Sequence, residues 1–500
     1  MVSRPHRWWL FRGLACLLAL VPFLLAELTC VLLGWGATDL NRDPFVGFEG
    51  SRPLFVLDEV GDHYEIAPNR RSFFAYDSFS ATKGPNTRRI FCLGGSTVQG
   101  RPYSIETSFP TCMRLALQQA DPETNWEVVN CGGISYASYR LVPILDEVLR
   151  HQPDLILLCT GHNEFLEDRS YPVLRRSPSW SLSGINWLLQ RRLVRIGAGW
   201  WRGIMADQTP GQGPQTDATG APVLPTEVAT RLDFQRGLDA YHRDPAWHAG
   251  VREHFEFNVR RMIQLCRVAD VPIVVLLPPS NLSGQPPFKS EPSPGQSPAA
   301  QLLVNELLAS ARESEGVGLK RPIELLRKAC VNDPDDARLW YQLGRLELLA
   351  SDVAAARACF TTARDLDICP LRMTSPLEET LRQIADEESV PFVDLHQLLE
   401  QETASGILGD EWLVDHVHPN FDGHRRIGIA LVELLIAQRF VTPGTDAWQQ
   451  RSRAAFTAHF EQLDRAYFHR GQRMLENLRG WAAGQATDLP PSVETDEGGS

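Results

Sequence analysis

From residue 88 onwards, short apolar runs alternate with amphipathic stretches. Five of the runs are rich in β-branched and other apolar residues: IFCLGG, WEVVNCGG, DLILLCTG, VPIVVLLPP and VPFVDL. Between them lie stretches with a helical period, such as FPTCMRLALQQA, YRLVPILDEVLRH and HFEFNVRRMIQLCRVA. This alternation predicts an α/β fold with a parallel sheet covered by helices on both faces. In such a fold, chemistry is expected at the carboxyl ends of the strands.

The remaining patterns divide the chain into segments. Short alternating runs before the sheet predict small strands and turns, and Gly/Pro-rich stretches mark two interruptions of the alternation. The expected segments are a small β segment over 37–87, a sheet domain over 88–281 and 371–440 with a variable insertion over 171–250, a helical insertion over 282–370, a C-terminal helix over 441–485 and a disordered tail over 486–500.

The helical insertion carries a repeat pattern. Six of its residues stand at the intervals of a tetratricopeptide repeat: Trp340, Leu343, Gly344, Ala356, Phe360 and Ala363. Residues 321–334 resemble the second helix of a preceding repeat, and a helical hairpin that matches by chance is the alternative. Because solenoids need about three repeats to be stable alone, we expect this unit to pack on the sheet domain or on the aromatic stretch near Trp187, Trp200 and Trp201. A protein partner, if the chain has one, is expected here.

An apolar run over residues 13–36 is interrupted only by Glu27. It is long enough to span a bilayer, which takes about 20 residues. A cleaved signal peptide is the alternative, but its apolar core is shorter and ends in small residues. Three arginines precede the run and three acids soon follow it, so the positive-inside rule places residues 1–12 in the cytoplasm. These features predict a single-pass membrane protein with an extracytoplasmic, periplasmic catalytic domain.

Charge and cysteine usage exclude several classes of function. Lys and Arg number 49 against 61 Asp and Glu, which gives a net charge of −12 and argues against a nucleic acid partner. The ten Cys are dispersed, with no CxxC pair and no Cys/His cluster at zinc spacing. Structural zinc and a disulfide-dense scaffold are therefore not expected.

Candidate chemistry follows the first two strands. Ser96 comes after Gly94 and Gly95, and a Ser at a strand end before a helix can present an exposed hydroxyl among free N–H groups. A phosphate-binding or plain turn is the alternative, but no P-loop Lys follows and the spacing is not G-x-G-x-x-G. The second strand ends at Gly132 and Gly133, in a loop whose N–H groups could donate to an oxyanion.

The third strand ends at Gly161 and is followed by His162, Asn163 and Glu164. The Asn163 side chain is a suitable oxyanion donor, and one preorganised donor contributes roughly 3 kcal/mol to lowering a barrier. An ordinary helix cap is the alternative interpretation of this Asn.

A further motif, Asp415-His416-Val417-His418-Pro419-Asn420, lies far downstream. Asp415 and His418 are three residues apart, so the carboxylate can hold the imidazole in the tautomer that acts as a base. Metal ligation by His416, His418 and His424 is the rival interpretation, although no HExxH or carboxylate–His framework accompanies them.

The order of these motifs is more specific than any one of them. A Ser after the first strand, a Gly-rich loop after the second, an Asn after the third and a late D-x-x-H motif resemble the SGNH hydrolase superfamily of GDSL-type esterases and lipases. The likeness covers residues 88–170, 250–281 and 373–440. The motifs GGST, GHNEF and D-x-x-HPN are most similar to those of membrane-anchored bacterial members with tetratricopeptide insertions.

The resemblance implies a flavodoxin-like, three-layer α/β/α sandwich. It also implies Ser96 as nucleophile, His418 as base, Asp415 as the residue that orients the base, and an oxyanion hole formed by the Ser96 N–H, a second-loop N–H and the Asn163 side chain. Two positions depart from the family pattern. Gly95 stands where an Asp usually precedes the nucleophile, and Ser135 stands at the usual Gly of the second loop, where its N–H could still donate.

The function expected from the resemblance is hydrolysis of carboxylic O-acyl esters, on glycans or lipids of the cell envelope, without a metal or cofactor. Two alternatives stay open. The same residues could transfer an acyl group to an alcohol, or the chain could be a catalytically silent scaffold whose helical insertion binds a protein.

Overall fold

The computed structural model describes residues 52–167, 169, 223–233, 237–316, 318–444 and 446–482, with the isolated positions 21, 22, 25, 26, 28, 29, 43 and 45–49. The chain divides into two compact units: Met1–Gly50 with Arg169–Thr226, and Ser51–Asp168 with Glu227–Ser500. In the first unit, the short strands Gly47–Phe48 and Val223–Leu224 pair in parallel.

A small antiparallel sheet precedes the α/β alternation. Its strands, in spatial order, are β1 (Phe55–Leu57), β2 (His63–Ile66) and β3 (Ser78–Ser80). The ring of Phe79 in β3 contacts Phe91, with ring centroids 5.3 Å apart. Small strands and turns are thus present in this part of the segment over 37–87, as expected.

The central sheet has five parallel strands. They are β4 (Thr87–Gly94), β5 (Asn125–Gly132), β6 (Leu155–Cys159), β7 (Ile273–Leu277) and β8 (Phe392–Asp394). Their spatial order is β8-β7-β6-β4-β5. Because β4 is the first strand along the chain, this is the 2-1-3-4-5 order of flavodoxin-like folds, whose strand order reverses between the first and third strands. The parallel α/β sheet predicted from the alternation is confirmed.

In the part of the chain that the structure describes, four helices connect the first four of these strands: α1 (Ser96–Gln99), α2 (Phe109–Ala120), α3 (Ser138–Val148) and α4 (Pro245–Val268). Ser108 caps α2 by accepting from the Thr111 N–H, and Asp244 caps α4 in the same way from Trp247. Helix α4 therefore begins inside the segment expected as a variable insertion over 171–250, and its first six residues belong to the sheet domain. Residues 171–222 of that insertion lie outside the described residues.

The insertion over 282–370 contains four helices: α5 (Pro298–Ser314), α6 (Lys320–Asn332), α7 (Ala337–Leu349) and α8 (Val353–Asp365). They pair as α5 with α6 and α7 with α8. Phe360 and Ala356 of α8 are buried with Leu282 and Ile407, and the Tyr341 hydroxyl donates to the Ser283 carbonyl at 2.9 Å. The insertion packs on the sheet domain, and the aromatic stretch near Trp187, Trp200 and Trp201 lies outside the described residues.

Five more helices complete the unit: α9 (Ser375–Glu387), α10 (Leu395–Glu400), α11 (Phe421–Ala437), α12 (Trp448–Glu461) and α13 (Arg465–Ala482). The single C-terminal helix expected over 441–485 is wrong, because α12 and α13 are separate. Asp464 lies between them and accepts from the Tyr467 N–H at 2.6 Å, which starts a new helix. The tail over 486–500 lies outside the described residues.

Helices cover both faces of the sheet. On one face, Ile90 and Cys92 of β4 share a core with residues of α2, α10, α11 and α12. The intervening residues Phe91 and Leu93 are also fully buried, on the face that α3, α4 and α9 cover. Alternate residues of a strand point to opposite faces, so burial on both sides explains why the strands are continuous apolar runs.

The proposed membrane anchor over 13–36 lies almost entirely outside the described residues. Among the residues that the structure describes, no helix is both long enough and apolar enough to cross a bilayer.

Candidate active site

Ser96, His418 and Asp415 form one hydrogen-bonded chain at the carboxyl end of the sheet. The Ser96 Oγ lies 2.7 Å from the His418 Nε2, and the His418 Nδ1 lies 2.7 Å from the Asp415 Oδ2. His418 and Asp415 are buried, whereas Ser96 is half-buried. The three residues predicted from two motifs over 300 positions apart are therefore brought together with the spacing of a nucleophile, a base and an orienting carboxylate.

The loop that carries the base is held by the carboxylate itself. Asp415 Oδ1 accepts from the N–H groups of Val417 and His418, both at 2.9 Å. A carboxylate can only accept at the His418 Nδ1, so the imidazole carries its proton there and leaves Nε2 to accept from Ser96. Burial works to raise the pKa of Asp415, but His418, His416 and the hydrogen bonds hold it well below its usual range. Asp415 is thus an anion.

The strand order explains where the nucleophile lies. Ser96 is the first residue of α1 and directly follows β4, and Asn163 follows β6, the neighbouring strand on the other side of the reversal. Loops diverge at such a reversal and leave a crevice above the sheet. The N–H of the first residue of a helix has no acceptor within that helix, so the Ser96 N–H is free to bind an oxyanion.

Asn163 lies beside Gly95, the residue that precedes the proposed nucleophile. One Asn163 Nδ2 hydrogen donates to the Tyr136 carbonyl at 3.0 Å, and an amide nitrogen has a second hydrogen to offer. A Cβ on residue 95 would lie 2.5 Å from that Nδ2. A larger residue at this position would therefore have to displace the Asn163 amide.

The second loop presents Ser135 in a left-handed conformation, with φ of 60°. Its neighbours have their N–H groups occupied: Gly133 donates to Gly94, Ile134 to Phe73 and Tyr136 to Gly133. No acceptor for the Ser135 N–H lies among the described residues. The Ser135 N–H is therefore available to an oxyanion.

Two contacts that hold these loops were not found from the sequence. The buried carboxylate of Glu164 accepts from the Ser138 N–H at 2.7 Å and from its hydroxyl at 3.0 Å. This joins the loop of Asn163 to the loop of Ser135. The Gln99 Nε2 donates to the Gly132 carbonyl at 3.1 Å and so joins α1 to the same loop. In the sequence, only the GHNEF motif pointed to Glu164, and no motif pointed to Gln99.

The other two histidines of the downstream motif do not converge with His418 on a common point. The His424 Nδ1 accepts from the Phe109 N–H at 3.1 Å, and burial lowers the pKa of His424 to about 3. His416 lies against Phe288 with ring centroids 5.1 Å apart, and burial lowers its pKa to about 4. Among the described residues, the group that could converge on a metal is the partly exposed set Asp58, Asp62 and His63. The rival metal interpretation of these three histidines is therefore not supported by their geometry.

A cavity of about 390 Å³ lies beside the edge strand β5, and no triad residue lines it. Its polar lining includes Asp77, Glu106, Arg114 and His459. Burial raises the pKa of Asp77 to about 6 against the hydrogen bonds from Asn130 and Ser78. The triad lies at the strand reversal and outside this cavity.

No protein-family model matches the chain, and no curated protein is similar enough in sequence to match it. Solved structures do match. A protein assigned to the G-D-S-L lipolytic family from Desulfitobacterium hafniense is 10% identical, with 69% of this chain and 99% of that chain covered and a TM-score of 0.30. An acetylxylan esterase from Geobacillus stearothermophilus is 12% identical, with 71% and 94% covered and a TM-score of 0.30. An α/β hydrolase from the metagenome of Lake Arreo is 12% identical, with 71% and 96% covered and a TM-score of 0.30. The matched structures thus include GDSL-type lipolytic and esterase proteins, the group that the sequence motifs resemble.

Proposed function

We propose that this chain is a serine esterase of the SGNH type, which hydrolyses carboxylic O-acyl esters. The observation that carries the proposal is the hydrogen-bonded chain from Ser96 Oγ through His418 to Asp415. A half-buried hydroxyl joined to a buried imidazole and carboxylate is the arrangement that makes a Ser nucleophilic at neutral pH. A silent scaffold would have no reason to keep all three groups in hydrogen-bonding contact.

The reaction follows from the donors and acceptors of these groups. As Ser96 Oγ attacks the ester carbonyl carbon, the His418 Nε2 takes the hydroxyl proton, and Asp415 stabilises the resulting imidazolium. When the tetrahedral intermediate collapses, the C–O bond to the alcohol breaks and His418 donates its proton to the departing alcohol oxygen. Water then attacks the acyl-serine with His418 again as base, which releases the acid and restores Ser96.

Three N–H groups would stabilise the oxyanion of each intermediate. They belong to the Ser96 backbone, the Ser135 backbone and the Asn163 side chain, and each contributes roughly 3 kcal/mol if it is aimed at the developing charge. The contact between Glu164 and Ser138 would matter here because it holds two of the donors at a constant separation.

We also propose a location for the chain and a role for its helical insertion. The apolar run over 13–36 would anchor the chain in a membrane with the catalytic unit on the extracytoplasmic side, so its esters would be those of envelope glycans or lipids. The paired helices α5–α8 would be a tetratricopeptide-like insertion that offers a surface to a protein partner.

A panel of p-nitrophenyl esters from acetate to laurate, offered to the full-length protein in detergent, tests the activity. We expect hydrolysis of at least one member, with a rate that depends on acyl length. Addition of an acceptor alcohol separates hydrolysis from transfer, since a transferase would form the new ester in place of the free acid. If no member is hydrolysed and a fluorophosphonate leaves the protein unlabelled, the esterase proposal is wrong and the scaffold alternative stands.

A further inference from the structure

Arg101 lies one turn from the proposed nucleophile. Its backbone N–H donates to the Ser96 carbonyl at 3.1 Å, so its position is tied to the residue that bears the reactive hydroxyl. Arg101 is half-buried. It is not part of the triad or of the oxyanion hole, and no sequence motif includes it.

The side chain of Arg101 contacts Gln99, the residue that supports the loop after β5. Its Nε donates to the Gln99 Oε1 at 3.0 Å. The amide of Gln99 in turn donates to the carbonyls of Phe73 at 2.9 Å and Gly132 at 3.1 Å. The guanidinium is therefore held beside the loop that presents the Ser135 N–H.

Arg101 has no acidic partner among the described residues. Two other sheltered arginines of this domain do: Arg89 contacts Glu127 and Arg140 contacts Glu167, both at 2.6 Å. Burial alone lowers the pKa of Arg101 to about 10, with no carboxylate acting against it. A sheltered cation is usually paired, and a missing partner is unexpected in a chain with a net charge of −12.

The two terminal nitrogens of this guanidinium suit an anionic ligand. With Nε engaged by Gln99, the two terminal nitrogens still offer a planar fork of N–H donors, which matches a carboxylate or a phosphate.

We infer that Arg101 binds an anionic group, a carboxylate or phosphate, carried by the ester substrate. This rests on the proposed esterase function and adds a substrate class to it: anionic esters are preferred to neutral esters of the same shape. Because the anion is distant from the reacting carbonyl, the contact is made equally in the bound ester and in the transition state. It therefore lowers KM more than it raises kcat.

The test uses matched pairs of esters and the full-length protein. One pair places the charge on the acyl side, 4-nitrophenyl hydrogen succinate against 4-nitrophenyl butanoate. The other places it on the alcohol side, 4-acetoxybenzoate against its methyl ester. A further probe, 4-acetoxyphenyl phosphate, separates phosphate from carboxylate. The measured quantity is the ratio of kcat/KM for the charged ester to that for its neutral partner.

We expect the parent to favour the charged ester of at least one pair. Arg101→Gln should lower that ratio by at least about tenfold, equivalent to about 1.4 kcal/mol, mainly through KM, and Arg101→Lys should recover part of it. Arg150→Gln is the control, because it removes the same charge from an exposed arginine that is paired with Asp146, and it should leave the ratio as in the parent.

A ratio that is the same in the parent and in Arg101→Gln, with neutral esters still hydrolysed, overturns the inference and leaves the esterase intact. If the parent hydrolyses no ester and Ser96 is not labelled, the proposed function fails and the inference fails with it. If Arg101→Gln does not fold, Arg101→Lys and inhibition of the parent by benzoate decide the matter. Absence of both a Lys effect and competitive inhibition overturns the inference.

Discussion

Among single residues, the members of the triad could be predicted from the sequence because the constraints on them are local. Asp415 and His418 are three residues apart, and one turn of chain brings carboxylate and imidazole together. Ser96 was marked by its position between two glycines and a predicted helix. The close approach of Gly95 to Asn163 could not be predicted, because Asn163 follows a different strand.

The residues that sequence reasoning missed act across long separations. Glu164 binds Ser138, and Gln99 binds Gly132. Arg101 has no acidic partner among the residues that the structure describes, and no pattern in a single sequence can show such an absence. These features depend on how loops from different strands meet, which only the folded chain defines.

The base can be separated from its neighbour by mutation. His418→Ala should lower kcat by at least about 10³-fold, the order expected when a triad member is lost. His416→Ala should lower kcat far less, since the His416 Nδ1 lies 3.7 Å from Asp415 and no contact joins it to Ser96 among the described residues. Steady-state kinetics on a p-nitrophenyl ester measure both. A dead His416→Ala enzyme beside an active His418→Ala enzyme would reverse the assignment.

Stability should depend on pH through the buried His424. Its pKa in the folded protein is about 3, below the value near 6.5 of an unfolded chain. Between these values the unfolded chain binds a proton that the folded chain does not. The free energy of unfolding is therefore unaffected by protonation of His424 above about pH 6.5, and it decreases as the pH falls towards 3. At pH 5 the loss from this residue is about 2 kcal/mol.

Urea unfolding at pH 7.5 and pH 5 measures this effect. The parent should lose more free energy of unfolding between the two pH values than His424→Gln does, because Gln does not titrate. Each variant serves as its own reference, so a change in absolute stability does not matter. An equal loss in both proteins would show that His424 does not contribute.

At the element scale, the insertion is joined to the sheet domain by helix α8. Phe360 is 1% exposed, and its ring lies against Gly344 of α7, where any larger side chain would crowd it. It also shares a buried cluster with Leu282, at the start of the insertion, and with Ile407 of the sheet domain. Of the four repeat positions expected in the core, Leu343, Ala356 and Phe360 are buried and Trp340 is half-buried.

Truncation of Phe360 should weaken the whole catalytic unit. Phe360→Ala should cost about 3–5 kcal/mol, as other large truncations in a core do, and should lower the temperature of one shared unfolding transition. Leu302→Ala on α5 is the control, because that side chain is 62% exposed and little should change. Differential scanning calorimetry with parallel activity measurements tests this. A shift confined to a separate minor transition, with esterase activity retained through it, would show an independent module.

At the scale of the whole molecule, the order of elements was predictable and some boundaries were not. All five central strands were expected, and burial on both faces makes the inner strands β6 and β7 continuous apolar runs. The break between α12 and α13 was missed because one Asp cap interrupts an otherwise continuous helical pattern. Spatial strand order follows from the resemblance and not from periodicity, because periodicity says nothing about neighbours.

Membrane topology is a prediction of the charges that flank residues 13–36. A C-terminal alkaline phosphatase fusion should be active, because that reporter folds only after export, and the protein should sediment with membranes. A β-galactosidase fusion at the same position should be inactive. The reverse pattern of the two reporters would reverse the proposed orientation.

We propose above all that Ser96 is the nucleophile of an esterase. The most direct test treats the parent protein and Ser96→Ala with a fluorophosphonate, maps the adduct by peptide mass spectrometry, and measures ester turnover of both proteins. We expect one phosphonyl group on Ser96 of the parent. The variant should show no adduct and no turnover, and it should have the thermal unfolding profile of the parent because only a half-buried hydroxyl is lost. Undiminished turnover by a folded Ser96→Ala protein, or an adduct on another residue, would contradict the account.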